Sequence, residues 1–391
     1  MGVSGFLGGI AHGWRGIKAA GPRRLALTAL LLVLALLLAR YSWQVPGVGD
    51  AERSMFDLRS YLLAEQVEQD ERVTLVVYND QTLIAARKRS PLDRGVLAGA
   101  LRNLDKMGAK AIGIDILIDQ PQDEDEELVA TLRAMNTPTF VAYTREDATK
   151  NDIIYEQQAF LDDFVARLEG SKARPASIVL DSNFGVTRNW PAVSPNLPPP
   201  LGRAMLIAGG DADLTMPGYE GAIRYRLPAL ADRKVFTSLP IDNFASAEII
   251  PLLKPVVEGR YVLIGGDIVD FDRIQTPFTS WMPETRETDR NDFLPPGVAV
   301  HAEMIAQMLD GEALPKPLPA ALWALALVVV LGAALTALVE LRSWRIYPLL
   351  ALQFAALIGA PFLLHAQGID TYGLPAAGWL VGWIVAFAAA T

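Results

Sequence analysis

The chain has 391 residues, 51% of them hydrophobic, with a net charge of −9, a pI near 5.0 and a mean hydropathy of +0.24. The acidic balance excludes nucleic acid as a partner, because phosphate binding needs a basic face. The absence of cysteine excludes disulfides, thiolate catalysis and Cys-based zinc or iron–sulfur sites, and three histidines far apart (His12, His301, His365) exclude a His-rich metal centre.

Residues 1–24 form a basic N-terminal segment carrying Arg15, Lys18, Arg23 and Arg24. The run Leu25–Ala39 is uncharged, and Tyr41, Trp43 and Val45 extend it past Arg40, whose long side chain can snorkel to the interface. No A-x-A cleavage site follows, so residues 25–45 are predicted as a retained transmembrane anchor and not a removed signal peptide.

Residues 46–318 alternate strand and helix patterns. VTLVVYND (73–80) reads as a strand, and the following segment places Val96, Leu97, Leu101, Leu104 and Met107 at helical spacing with Gly108 as its stop. KAIGIDILID (110–119) reads as the second strand, EELVATLRAM as a helix and TFVAYTR as the third strand. This order predicts a mainly parallel sheet with right-handed crossovers. ASIVLDSN is a further strand, RNWPAVSPNLPPP a loop, AIRYRLPAL an antiparallel or edge strand, SLPIDNFASAEII a helix and GRYVLIGGD a buried strand. Pro283–Pro296 reads as a long surface loop, and PPGVAVHAEMIAQMLDGEAL closes the segment as a helix.

Three apolar segments follow, at 319–340, 346–366 and 373–391. The basic positions lie at the N-terminus and at Arg342/Arg345, whereas HAQGIDTYG between the last two segments has no Lys or Arg. The excess of positive charge marks the cytoplasmic side, which predicts both termini inside a bacterial inner membrane and residues 46–318 in the periplasm. The expected fold class is therefore an α/β extracytoplasmic domain with a mainly parallel, helix-flanked sheet, plus about four transmembrane helices. Residue 391 falls at the inner end of the fourth segment, where a cytoplasmic output domain would begin or a separate partner would act.

Several strands end in Asp: Asp80, Asp119, Asp181 and Asp267. In a parallel sheet such ends share one edge, where ligands bind at a topological switch point. Paired carboxylates there hold Mg²⁺ or Ca²⁺ through oxygen ligands. The competing reading is structural: Asp caps the next helix, and the block Asp123–Glu127 sits where negative charge meets the positive end of a helix dipole. Asp115 is different, because alternation puts it on the face opposite Ile114, Ile116 and Ile118, and a buried carboxylate needs a partner. Gly265-Gly266 reads as a turn after a strand that could admit an anion, although Asp267, Asp270 and Asp272 oppose one. His301 either bonds within the core or serves chemistry. No G-x-S-x-G, HExxH or kinase signature is present.

These elements, in order, resemble the type-two CHASE family, the cyclase- and histidine-kinase-associated extracytoplasmic sensor domain. The matching elements are Asp57 and Arg59 after the first span, the strand VVYND, Pro91 and Arg94 leading into MGAKAIGIDILI, YVLIGGD with Asp272, Thr276 and Pro277, and Gly297, His301 and Ala302 before three closely spaced spans. The chain departs from the family in having ARKRSPLDR where a Trp-Pro is usual, and in its insert near Pro283–Pro296. The resemblance implies a receptor and not an enzyme, usually joined to a cytoplasmic cyclase or kinase. The residues expected to contact an unidentified periplasmic ligand are Asp80, Asp115, Asp119, Gly265, Gly266, Asp267, Asp272 and Thr276, and those expected to relay the signal are Asp57, Arg59 and His301. The expected partners are the bilayer, a second copy in a homodimer and a membrane or cytoplasmic signalling protein, with no cofactor or bound metal. Two other readings stay open: a non-sensing membrane-anchored scaffold, and a metal-dependent hydrolase using Asp115, Asp119 and Asp267.

Overall fold

The computed structural model describes residues 21–87, 92–146, 153–230, 233–269, 273–281, 294–338 and 346–391. They fall into two compact units. One contains the described residues up to Leu63 together with Leu314–Thr391, and the other spans Ala64–Ala313.

In chain order, the first unit begins with α1 (Pro22–Tyr41) and α2 (Val48–Leu62). The second unit then supplies β1 (Gln66–Val67), β2 (Asp70–Asn79), α3 (Asp80–Ala86), α4 (Arg94–Met107), β3 (Ala111–Asp115), α5 (Asp125–Ala134), β4 (Thr139–Tyr143), α6 (Tyr155–Ala166) and β5 (Ala173–Ser177). It continues with the hairpin β6 (Asp181–Asn183) and β7 (Val186–Asn189), then α7 (Leu201–Gly209), β8 (Leu227–Pro228), β9 (Phe236–Pro240), α8 (Ile250–Leu253), β10 (Tyr261–Asp267) and α9 (Gly297–Leu309). The first unit resumes with α10 (Pro319–Leu338), α11 (Ile346–Ala366) and α12 (Ala376–Ala390).

The central sheet of the second unit has the order β5-β4-β3-β10-β2-β9, with every pairing parallel. The local chemistry of its helices follows the sequence signals. Asp93 caps α4 by accepting the Gly95 and Val96 N–H groups at 2.8 and 3.1 Å, and Gly108 ends it at φ +80°. The apolar face of α4 (Leu97, Leu101, Leu104) packs with Leu128 and Leu132 of α5 over Ile112 and Ile114, which forms the main core on one side of the sheet.

The opposite side is covered by α7 and α9, and glycine permits their approach. A Cβ at Gly113 would meet Met205 Sδ at 2.5 Å, and one at Gly265 would meet Val298 Cβ at 2.7 Å. Glycine at these positions lets helix and sheet close together. The pair Gly265-Gly266 therefore lies inside β10 and not in a turn after it.

Several predicted elements are corrected. KAIGIDILID is a strand only to Asp115, where its pairing with β10 also ends at Gly265. ASIVLDSN divides into the end of β5 and the separate short strand β6. SLPIDNFASAEII is not one helix: its start belongs to β9, and the rest is short 3₁₀ turns leading into the single turn α8, because Pro240 and Pro251 interrupt helical hydrogen bonding. Within AIRYRLPAL, Ala222 forms an isolated antiparallel bridge with Asn189, while Leu227–Pro228 pairs parallel to β1. Residues 283–293 of the expected surface loop lie outside the described residues.

In the first unit α1, α10 and α11 are long and apolar enough to cross a membrane, whereas α12 is shorter. Among the described residues three helices thus meet that length and composition, and the expected fourth span, α12, falls short of it. α12 lies directly on α1: a Cβ at Gly378 would meet Leu38 O at 2.5 Å, and one at Gly382 would meet Ala35 O at 2.8 Å. This pairing of Gly-x-x-x-Gly with Ala35-x-x-x-Ala39 is the small-residue contact that lets apolar helices approach closely. Polar bridges join the other helices, with Trp383 Nε1 donating to Gln353 Oε1 at 2.9 Å and Gln353 Nε2 to Thr336 Oγ1 at 2.7 Å.

Candidate functional site

Strand β3 carries Ile112 and Ile114 into the main core, so Gly113 and Asp115 face the other side, beneath α7 and α9. There His301, in the second turn of α9, brings Nε2 to 3.9 Å from Asp115 Oδ1, with 3% and 9% of the two side chains exposed. A cavity of about 710 Å³ opens beside them at the carboxyl edge of the sheet. Thr144, just after β4, and Asp181 and Ser182 from the β6–β7 hairpin also line it. The Thr144 hydroxyl is buried and has no hydrogen-bond partner among the described residues.

Burial sets the electrostatics of this site. It pushes the Asp115 carboxyl up to about 7 and the His301 imidazole down to about 4, the latter against the Ile178 backbone, which favours the charged ring. Both groups are thus biased to the neutral form. At 3.9 Å their facing atoms are beyond hydrogen-bond reach, and a single bridging donor would fit between them.

The remaining sequence-predicted residues are dispersed. Asp80 opens α3 and accepts the Val269 N–H at 3.2 Å, and Asp119 accepts from Gln157 Nε2 at 2.5 Å. Asp267 pairs with Arg273 at 2.9 Å and more loosely with Lys234 at 3.7 Å. With Thr276 it lines a second cavity of about 450 Å³. Helix α9 contributes to both cavities: Gly297 and His301, one turn apart, line the first, while Ala299, Val300 and Glu303 line the second. Gly265 serves the packing of β10 against α9, Gly266 lies within the strand opposite Tyr78, and Asp272 lies outside the described residues. Asp115, Asp119 and Asp267, the trio expected of a hydrolase, thus have three different sets of neighbours. Among the described residues no cluster of three or more His, Asp or Glu is placed to hold a metal ion.

The acidic block after β3 has a structural role. Asp125 accepts from Arg94 Nε at 3.1 Å and from the Gln122 N–H at 2.9 Å, and Arg94 is fully buried. This assigns the P-x-x-R arginine to a buried ion pair.

Sequence reasoning missed a charged network at the second cavity. Arg226 donates to Glu303 and to Asp70, both at 3.0 Å, while Arg72 bridges Asp70 at 2.7 Å and Asp310 at 2.6 Å. Burial raises Glu303 to about 7 despite Arg226. For Asp70 burial acts upward too, but hydrogen bonds from Arg72 and Arg226 prevail and hold it near 2. Glu303, the single carboxylate in the mainly apolar helix α9, with alternating arginines in AIRYRL, is the sequence signal that could have found it.

Asp57 and Arg59 belong to the first unit and His301 to the second. Both are buried on α2, and the Arg59 guanidinium nitrogens have no hydrogen-bond partner among the described residues. Burial lowers Arg59 to about 10, opposed by the nearby charges of Glu52 and Asp57. Glu52, unremarked in the sequence, is also fully buried: it accepts from Ser42 Oγ at 2.5 Å and from the Ala377 and Gly378 N–H groups at 3.0 and 2.8 Å. It thereby caps the N-terminus of α12.

In comparisons with known proteins, residues 28–339 match the family model described as the CHASE2 domain. No curated protein and no solved structure matches the chain.

Proposed function

The chain belongs to the CHASE2 domain family, and from that premise we propose that it is a bacterial inner-membrane receptor whose α/β unit senses a stimulus outside the cell membrane. CHASE2 is an extracytoplasmic sensor domain and not a catalytic one. The observation that carries the reading is the extent of the match, which includes the whole α/β unit and runs from within α1 to the end of α10. The cavity at Asp115 and His301 is the stimulus site in this reading: it is concave, mostly apolar in lining and lies at the carboxyl edge of a parallel sheet.

Signalling requires a stimulus to bind two conformational states with different affinity, since equal affinity shifts nothing. In the proposed relay, occupancy of the cavity biases α9 through His301, and the bias reaches the membrane helices through α2, with Asp57 and Arg59, and through α10. The output is a cytoplasmic cyclase or kinase, fused or separate, and the receptor works as a homodimer. Gly332 and Gly359, which have open space around them, support helix contact with a second copy.

The chain has no cysteine, so introduced thiols report without background. A disulfide joining α1 to α10 in the full chain, fused after Thr391 to a reporter cyclase, is expected to fix reporter output and abolish its response to periplasmic extract. An unchanged response in fully cross-linked protein would sink the relay.

A further inference from the structure

The lining of the Asp115 cavity points to the class of stimulus it accepts. Among the described residues around it there is no lysine or arginine, and its titratable groups are Asp115, Asp181 and His301. Asp115 is faced by His301 from α9, Asp181 from β6 and Thr144 line the same cavity, and β10 places Gly265 beside Asp115 in register. None of these supplies a counter-ion to the carboxylate, and an anion entering the cavity would meet the hydroxyl residues Thr144, Ser182 and Ser194 but no cationic lysine or arginine among the described lining residues.

Two of the polar side chains face each other. Asp115 Oδ1 and His301 Nε2 stand 3.9 Å apart, too far to bond each other and suited to one donor atom that bonds both. The unpartnered Thr144 hydroxyl belongs to the lining of the same cavity. Most of the remaining wall is apolar, with Leu117, Ile178, Leu180 and Leu197, interrupted by Ser182 and Ser194.

Building on the receptor reading, we infer that this cavity binds a small primary or secondary amine in its ammonium form. Its N–H groups bridge Asp115 and His301, and its apolar body lies on the leucine and isoleucine wall. The ammonium supplies the positive charge that the buried carboxylate lacks and donates to both acceptors, whereas an alcohol supplies donors without charge. Because burial holds the free Asp115 carboxyl up to about 7, binding an ammonium below that pH displaces a proton.

The test uses three probes of matched shape, 2-phenylethylamine, 2-phenylethanol and phenylacetate, titrated by calorimetry into the full chain in nanodiscs, with empty nanodiscs subtracted. The amine is expected to bind at least about tenfold more tightly than the alcohol, and the acid not at all. Its affinity should rise about tenfold per pH unit up to roughly 6.5 and level off above 7. Asp115→Asn, similar in volume, should cost the amine at least about tenfold and leave the alcohol unchanged. Should Asp115→Asn fail to fold, Leu180→Trp fills the cavity from the hairpin side and should abolish amine binding. Equal or tighter binding of the alcohol or the acid would overturn the inference, as would amine binding indifferent to both substitutions or no binding by any probe. The receptor reading is judged separately: a reporter fusion that still answers periplasmic extract keeps the receptor while the amine class falls.

Discussion

At the scale of single residues, Asp115 and His301 make a testable pair because burial moves them in opposite senses. The Asp115 carboxyl is raised in the folded chain, so the native state holds its proton more tightly and gains stability as pH falls from about 7 towards 4. The His301 imidazole is lowered, so the unfolded chain takes up a proton first and stability is lost as pH falls from about 6.5 towards 4. In the wild type the two slopes oppose each other over this window. Glu303, also raised to about 7 by burial, adds a slope of the same sign as Asp115 to every variant, so relative to the wild type Asp115→Asn should lose stability on acidification and His301→Gln gain it, each by up to about 1 kcal/mol per pH unit. Denaturant melts of both variants from pH 4.5 to 7 check this, and parallel profiles for the two would refute it. Alternation along β3 was sufficient to place Asp115 away from the main core. It could not name the group opposite, because His301 is contributed by a helix far along the chain.

At the scale of elements, the small-residue contact between α1 and α12 predicts a contrast among glycines. Gly382→Val places methyl groups against the Ala35 carbonyl and should destabilise the helical unit by about 1–3 kcal/mol. Gly332→Val, on α10 with no heavy atom within 4 Å, should leave the stability of the monomeric unit unchanged or slightly raised. Thermal unfolding of the two variants in detergent distinguishes them, and equal losses would remove the contact from the account. The elements that were legible are those whose local signals agree. Helix α4 has an Asp cap, an apolar face and a left-handed glycine stop, and β10 is an apolar run bounded by turn residues. Strand β9 was misread because Phe236–Pro240 is short and takes its identity from pairing with β2, which no local pattern encodes.

At the scale of the whole molecule, the receptor reading predicts which side of the membrane each segment occupies. Single cysteines placed at exposed positions of the α/β unit, such as Tyr155 or Phe184, should react with a membrane-impermeant maleimide in intact spheroplasts. A cysteine in residues 1–20 should react only after lysis. The opposite pattern would reverse the topology and remove the periplasmic stimulus from the reading.

By itself the sequence determined the parallel α/β class, the apolar helices that bracket it and the family, because periodicity, apolar run length and ordered motifs are properties of neighbouring residues. Only the tertiary structure decided the fate of the acidic residues in and after KAIGIDILID. Asp119 meets Gln157, Asp125 neutralises Arg94, and Asp115 alone faces a cavity with His301 across it. A carboxylate's role depends on its burial and on which donors reach it, and those come from residues distant in the chain.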